Sequence, residues 1–240
     1  MAKGPSFIDN DGVWVEILGQ RRTAPALFLD RDGVVVVETH YLHEVEKTEL
    51  IPGAGETIAL ANRRGLHVVL VTNQSGVGRG LYGWAEFEAV QDRIKADLAA
   101  FGAHVDAVCA CPFHPDAQGD FGRDHPDRKP NPGMLMKATQ ALGIDLAPSW
   151  IIGDMHTDMG AGRNAGLAGG VHVQSGWPDL RDQALLVEAL PCFFSRFFEV
   201  FAVFFGFSRG WGRGWGRGRG RRGDRQGAPG QRGGAAGCGG

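Results

Sequence analysis

Cysteine is scarce, with four in 240 residues, which excludes a small secreted scaffold built on disulfides. No uninterrupted apolar run reaches the roughly 20 residues that span a bilayer. The opening stretch, MAKGPSFIDNDGVWVEILGQ, has no apolar core of the kind a secretory signal carries. A reduced, cytoplasmic setting is therefore expected, and the length suits one good-sized domain. The net charge of −2 hides a division. From Ser208 onward there are eight arginines against one aspartate, whereas the rest of the chain carries 17 basic and 26 acidic residues. Fifteen of the 38 glycines also fall between Gly206 and Gly240. An acidic body is thus followed by a cationic tail, and the two are read separately.

The body alternates short apolar runs with helical patterns. ALFL (26–29), HVVLV (67–71), VDAVCA (105–110), SWIIG (149–153) and GGVHV (169–173) read as strands buried on both faces. Helical spacing is expected over 53–64, 84–101, 132–142, 157–165 and 179–190, clearest where Phe87, Val90, Ile94 and Leu98 recur. Asn131 followed by Pro132 suits an N-cap and a first-turn proline. The alternation predicts an α/β fold with a doubly wound, mostly parallel sheet, whose ligands bind at the carboxyl ends of the strands.

The residues just beyond those strands carry the chemistry. Asp30-x-Asp32-Gly33 follows the first, Thr72-Asn73 the second, and Gly153-Asp154-x-x-x-Asp158 begins at the end of the fourth; Arg128-Lys129-Pro130 precedes the helix at 132. Each alone has an ordinary explanation: a turn, a strand-ending loop, a helix cap. Together, in this order, they predict one acidic pocket. Carboxylates crowded there repel one another unless a cation sits among them, and an oxygen-only donor set suits Mg²⁺. Asp30 would attack phosphorus to give an aspartyl-phosphate, and Asp32 would serve as general acid and then base. Thr72 would hold phosphoryl oxygens with Asn73 nearby, Lys129 would supply positive charge, and Asp154 would complete the metal site. Asp158 would orient Lys129 or a metal-bound water.

The segments FLDRDGVV, VTNQSGVGRG, RKPNPGM and IIGDMHTDMGAGRNAG resemble the four motifs of the haloacid dehalogenase-like (HAD) superfamily. They are most similar to its branch of heptose bisphosphate and histidinol phosphatases. The similarity spans about residues 24–176 and includes the long first loop, DRDGVVVVETHYLHEVEKTELIPGA. The resemblance implies a HAD-like Rossmannoid domain over 24–191, without a large cap and preceded by an N-terminal extension over 1–23. It also implies Asp30 as nucleophile, Asp32 as acid/base, and Mg²⁺ held by Asp30, the Asp32 carbonyl and Asp154. Thr72 and Lys129 correspond to phosphate contacts, and Asn73, Arg128 and part of the 39–43 loop to substrate-facing positions. The implied reaction removes the 7-phosphate of a heptose 1,7-bisphosphate in lipopolysaccharide precursor synthesis, with histidinol phosphate or another small ester as the alternative. The implied enzyme is a monomer.

The branch commonly places a structural zinc before Arg-Lys-Pro, using Cys-x-His and Cys-x-Cys. Here only Cys111 matches: Phe113 replaces a histidine, and His125 and Asp127 replace cysteines. Cys111, His114, His125 and Asp127 are chemically acceptable zinc ligands, with Cys109 a further candidate. Phenylalanine at a ligand position nevertheless points to an abandoned site, and solvated loop histidines are the plainer reading.

The run Ser75–Gly80 lacks the Gly-Lys-Ser/Thr ending of a nucleotide-binding loop and reads as a flexible rim of the site. Arg79, His40 and His43 are either substrate contacts or solvated side chains. Residues 192–207 form a Phe-rich amphipathic segment holding eight of the 14 phenylalanines, which would bury against the domain, join copies or lie on a membrane surface. The Gly/Arg-rich tail, 208–240, cannot build a core and is expected to be disordered. Nucleic-acid binding through that tail is the rival reading from a different class.

Overall fold

The computed structural model describes residues 6–117, 119–173 and 186–189. The elements are β1 (Ser6–Ile8), β2 (Trp14–Ile17), β3 (Ala24–Leu29), α1 (Ala54–Arg63), β4 (His67–Asn73), α2 (Ser75–Gly78), α3 (Trp84–Ala99), β5 (Ala107–Cys111), α4 (Gly133–Leu142), β6 (Ile144–Gly153), α5 (His156–Ala165), β7 (Gly169–His172) and β8 (Leu186–Ala189). They build one eight-stranded sheet in the order β1-β2-β5-β4-β3-β6-β7-β8. The β4/β5, β3/β4, β3/β6 and β6/β7 pairs are parallel. Antiparallel strands close the two edges.

Strand periodicity sets the layers. Leu27, Leu29, Val68, Leu70, Val108, Ala110, Trp150 and Ile152 face one way, into a core with Ile58 of α1 and Phe87, Val90, Ile94 and Leu98 of α3. The alternating set, Ala26, Phe28, Val69, Val71, Ala107, Cys109 and Ile151, faces the opposite core with Met134, Leu135 and Ala138 of α4 and Met159 of α5. Burial on both faces is why these strands read as nearly continuous apolar runs. From β3 the chain winds outward through β4 and β5, then returns to β6 and β7 on the other side. The winding therefore reverses between β3 and β6, where open α/β sheets form their ligand crevice.

The sequence expectations need four revisions. Residues 1–23 are no simple extension, because β2 pairs with β5 from Trp14↔Ala110 to Ile17↔Ala107 and β1 pairs with β2. Trp14 is buried against Trp84 and Phe87, with ring centroids 5.5 and 5.6 Å away. The helix expected over 179–190 is a strand at 186–189, where pairing with β7 overrides helix-favouring composition; its remainder lies outside the described residues. Helix α4 starts at Gly133 with Pro132 as N-cap, because the Asn131 side chain instead donates its Nδ2 to the His125 carbonyl at 2.9 Å. The glycine run after β4 is a helical turn with a packing demand: a Cβ at Gly78 would lie 2.2 Å from the Pro112 carbonyl oxygen. The Phe-rich segment (192–207) and the Gly/Arg tail (208–240) lie outside the described residues. Among the described residues no helix is long and apolar enough to cross a membrane, and no cap domain interrupts the order of elements.

Trp14→Ala tests whether β2 belongs to the domain core: urea unfolding should show a loss of about 3–5 kcal/mol, as for a buried aromatic. A loss below about 1 kcal/mol, as for a surface change, would make the strand an appendage.

Candidate active site

The crevice at the reversal is built from the exits of β3, β4 and β6. Asp30 follows β3, and its amide donates to the Ile152 carbonyl of β6 at 2.9 Å, which fixes it beside the neighbouring strand end. One carboxylate oxygen of Asp30 accepts the Arg31 amide at 2.7 Å. The other lies 2.9 Å from Lys129 Nζ. That ammonium also meets Asp158 Oδ1 at 2.6 Å and donates to the Val71 carbonyl at 2.8 Å. Lys129 and Asp158 are 2% and 0% exposed, so this ion pairing is internal.

Asp158 stands in the first turn of α5, where its second oxygen accepts the Met155 amide at 3.0 Å, the acidic partner a helix N-terminus favours. Gly153 makes room for it. A Cβ there would fall 2.2 Å from the Asp158 Cβ.

Oxygens of Asp30, Asp154 and Asp158 all lie within 4.8 Å of one another. Three carboxylates and one lysine converge there, and the donors are hard oxygens. That combination fits Mg²⁺. Burial raises the Asp30 carboxyl well above its usual range; Lys129 pulls it down, and Asp158 and Asp32 push it up. Burial opposes the charge on Lys129, yet Asp158 and Asp30 hold its ammonium above the ordinary lysine value.

The Asp32 carboxylate turns away from this group. It accepts Arg31 Nε at 3.0 and 3.1 Å and Gln74 Nε2 at 2.9 Å. Gln74 Nε2 also donates to Thr72 Oγ1 at 2.8 Å, so one amide ties the two strand exits together. Gln74 Oε1 in turn accepts the Tyr82 hydroxyl at 2.5 Å. Arg31 is 0% exposed, with its guanidinium 5.2 Å from the centre of the Phe87 ring. Neither Arg31 nor Gln74 stands out in the sequence, since each reads as a spacer inside a motif; adjacency to two motif positions is the signal that could have found them. Asn73 grips the Lys129 peptide, donating to its carbonyl and accepting its amide, both at 3.1 Å.

A cleft of about 240 Å³ opens over Asp32, lined by Glu38, His40, Tyr41, Asn73, Gln74, Ser75 and Tyr82. His40 and Tyr41 hold left-handed backbone conformations, φ 55° and 62°, which non-glycine residues rarely adopt outside functional loops. His43 stacks on Tyr82 with centroids 5.2 Å apart. Burial pushes the Tyr82 phenol up to about 12. Arg128 is placed differently: its guanidinium donates to the Phe113 carbonyl at 2.7 Å, on the side where Arg79 meets His114.

The candidate zinc ligands are not gathered. Among the described residues, no cluster with metal-ligating spacing contains Cys111, His114 or His125. The His125 ring instead stacks on Phe113 at 3.9 Å, and the Asp127 carboxylate is 3.1 Å from Lys137 Nζ. Burial pushes the Cys111 and Cys109 thiols up to about 12.

The sheet order, the reversal and the acidic crevice with its lysine define a Rossmann-like phosphoryl-transfer enzyme. A family model described as HAD-hydrolase-like matches residues 127–186. The D-glycero-β-D-manno-heptose-1,7-bisphosphate 7-phosphatase of Mesorhizobium japonicum is 47% identical over 170 residues, covering 69% of this chain and 78% of that protein. Its Escherichia coli K12 namesake is 38% identical, over 65% of this chain and 83% of its own. Among solved structures, a chain described as a HAD-like phosphatase from Mesorhizobium loti matches with TM-score 0.69 and 39% identity, over 85% of this chain and 99% of its own. The D,D-heptose 1,7-bisphosphate phosphatase of B. bronchiseptica, complexed with magnesium and phosphate, matches with TM-score 0.55 and 35% identity, over 60% of this chain and 78% of its own. The chain belongs to the HAD-like phosphatases, and it is a phosphoric monoester hydrolase.

Gly153→Ala should displace Asp158 and loosen Lys129. Phosphatase turnover is expected to fall by about a hundredfold, the scale of an ångström misplacement, with the circular dichroism spectrum retained. Turnover within about threefold of the parent would show that Asp158 has space to spare.

Proposed function

We propose that the enzyme removes the 7-phosphate of D-glycero-β-D-manno-heptose 1,7-bisphosphate through an aspartyl-phosphate on Asp30. The observation that carries the chemistry is the convergence of Asp30, Asp154, Asp158 and Lys129 where the sheet reverses. The substrate rests on the names of the relatives, and the polar, aromatic-walled cleft over Asp32 is compatible with a polyhydroxylated sugar.

Asp30 and Asp154, with the Asp32 carbonyl, would hold Mg²⁺, which supplies charge neutralisation for the phosphate when bound. Thr72 would meet one non-bridging phosphoryl oxygen, and Lys129 another by turning to it the donor that now faces Asp30, whose carboxylate then faces phosphorus. An Asp30 carboxylate oxygen forms a bond to phosphorus while the bond from phosphorus to the sugar oxygen breaks. Asp32 donates its proton to that departing oxygen. Asp32 then takes a proton from water, the water oxygen bonds to phosphorus, and the acyl-phosphate bond breaks to restore Asp30 and release phosphate. Asp158 keeps Lys129 aimed, Asn73 fixes its peptide, and Gln74 with Arg31 orients Asp32. Arg128 would reach substrate groups beyond the reacting phosphate only from the Phe113 side, outside the cleft over Asp32.

Residues 24–191 are the catalytic domain, to which β1 and β2 add the outer strands. A cytoplasmic enzyme suits a doubly phosphorylated sugar, which does not cross membranes unaided.

Asp30→Asn should reduce Mg²⁺-dependent hydrolysis by about 10³-fold or more, as expected for loss of a nucleophile, with the circular dichroism spectrum retained and the melting temperature lowered, because Lys129 loses one of its two carboxylate partners. In a substrate panel, kcat/KM should be highest for the heptose bisphosphate and lower for histidinol phosphate, with the 1-phosphate retained in the product. Retained turnover in the variant would remove Asp30 from the nucleophile role, and a preference for histidinol phosphate would replace the substrate.

A further inference from the structure

Outside the cleft, one cation joins parts of the chain that the catalytic groups do not touch. Lys137 of α4 places Nζ 2.6 Å from Asp9 Oδ2, 2.8 Å from Asp11 Oδ2 and 3.1 Å from Asp127 Oδ2. Asp9 and Asp11 lie in the turn between β1 and β2. Asp127 is buried two residues before Lys129. The turn is itself braced, because Asp9 Oδ1 accepts the amides of Asp11 at 3.0 Å and Val13 at 2.9 Å. The other Asp9 oxygen is left to face the ammonium.

On the far side, the loop is folded around Asp127. The Asp127 amide donates to His125 Nδ1 at 3.2 Å, and the His125 carbonyl accepts the Arg128 amide at 3.0 Å. The Gly133 amide donates to the Pro126 carbonyl at 3.0 Å, and Asn164 reaches the Pro130 carbonyl at 2.9 Å. The stretch that carries Lys129 is thereby pinned from α5 and, through Asn73, from β4. Asp127 on Lys137 is a further anchor, beside the Arg128 bond to the Phe113 carbonyl and the Lys129 contacts in the crevice. Three carboxylates at this spacing repel one another without a cation between them. Lys137 is that cation, and its charge-assisted bonds are directional as well as attractive.

We propose that Lys137 is a positioning residue for catalysis: by gripping Asp127 together with Asp9 and Asp11, it sets the placement of Arg128 and Lys129, and so makes the N-terminal hairpin a working part of the site. This rests on the reading of Lys129 as the phosphate-facing lysine.

Lys137→Met, Lys137→Arg and Asp11→Asn in the full chain test it, with steady-state kinetics and amide hydrogen exchange at Arg128 and Asn131. Lys137→Met should lower kcat by about 10–100-fold, the range for a displaced catalytic group, and speed exchange at both amides. Lys137→Arg, which keeps the charge, should recover most of the loss. Asp11→Asn, at an outer and largely exposed carboxylate, should cause a smaller change in the same direction; it keeps the test open if Lys137→Met fails to fold. Folded variants with kcat and exchange within twofold of the parent would overturn the proposal. So would a fall in melting temperature with kcat unchanged. If the parent protein itself lacks phosphatase activity, the reading of Lys129 fails, and the exchange rates alone decide whether Lys137 holds the loop.

Discussion

An ammonium buried between two carboxylates organises this protein. Lys129 lies 2.9 Å from Asp30 and 2.6 Å from Asp158, out of contact with water. A lysine in such a place is tolerable only when its charge is matched and its protons are used. Here two carboxylates and the Val71 carbonyl meet that demand. The three partners come from the end of β3, the start of α5 and the body of β4, so one cation fixes the relative placement of three elements. Gly153 has to be small so that Asp158 can approach, and Asn73 has to clamp the Lys129 peptide. A site held this way is arranged before substrate arrives, which is where electrostatic catalysis draws its advantage.

Much of this arrangement was legible in the sequence because it is periodic or sits at a strand exit. The β3, β4 and β5 runs alternate between two cores, and their carboxyl ends carry Asp30, Thr72 and Asn73 as the sheet rule requires. Asp154 was legible for the same positional reason, and Lys129 from the Arg-Lys-Pro run before the helix that is α4. The edges of the sheet were not. Strand β2 has four residues and gains its stability from Trp14 packing on Trp84 and Phe87, a tertiary contact with no local signature. Strand β8 lies in a segment rich in leucine and alanine, whose local preference for helix is overruled by pairing with β7. Within the site, Gln74 and Arg31 were hidden because a spacing motif fixes its end residues and leaves the identity between them unread. The salt bridges from Lys137 to Asp9 and Asp11 were hidden by separations of 128 and 126 residues.

The loop before Lys129 is held by stacking and by an ion cluster. The His125 ring stacks on Phe113, and Phe121 closes edge-on against Phe113 at 5.2 Å. Asp127 has its counter-charge in Lys137. These contacts are spread over the hairpin, α4 and the loop itself. The N-terminal strands are thereby bound to the segment bearing the phosphate-facing lysine.

Transient phosphorylation of Asp30 is tested most directly by reductive trapping: borohydride added during turnover converts an aspartyl-phosphate to homoserine, which peptide mass spectrometry locates. Homoserine is expected at position 30, dependent on both substrate and Mg²⁺. Homoserine at another carboxylate, or none at position 30 while turnover proceeds and a known aspartyl-phosphate enzyme is trapped in parallel, would contradict it.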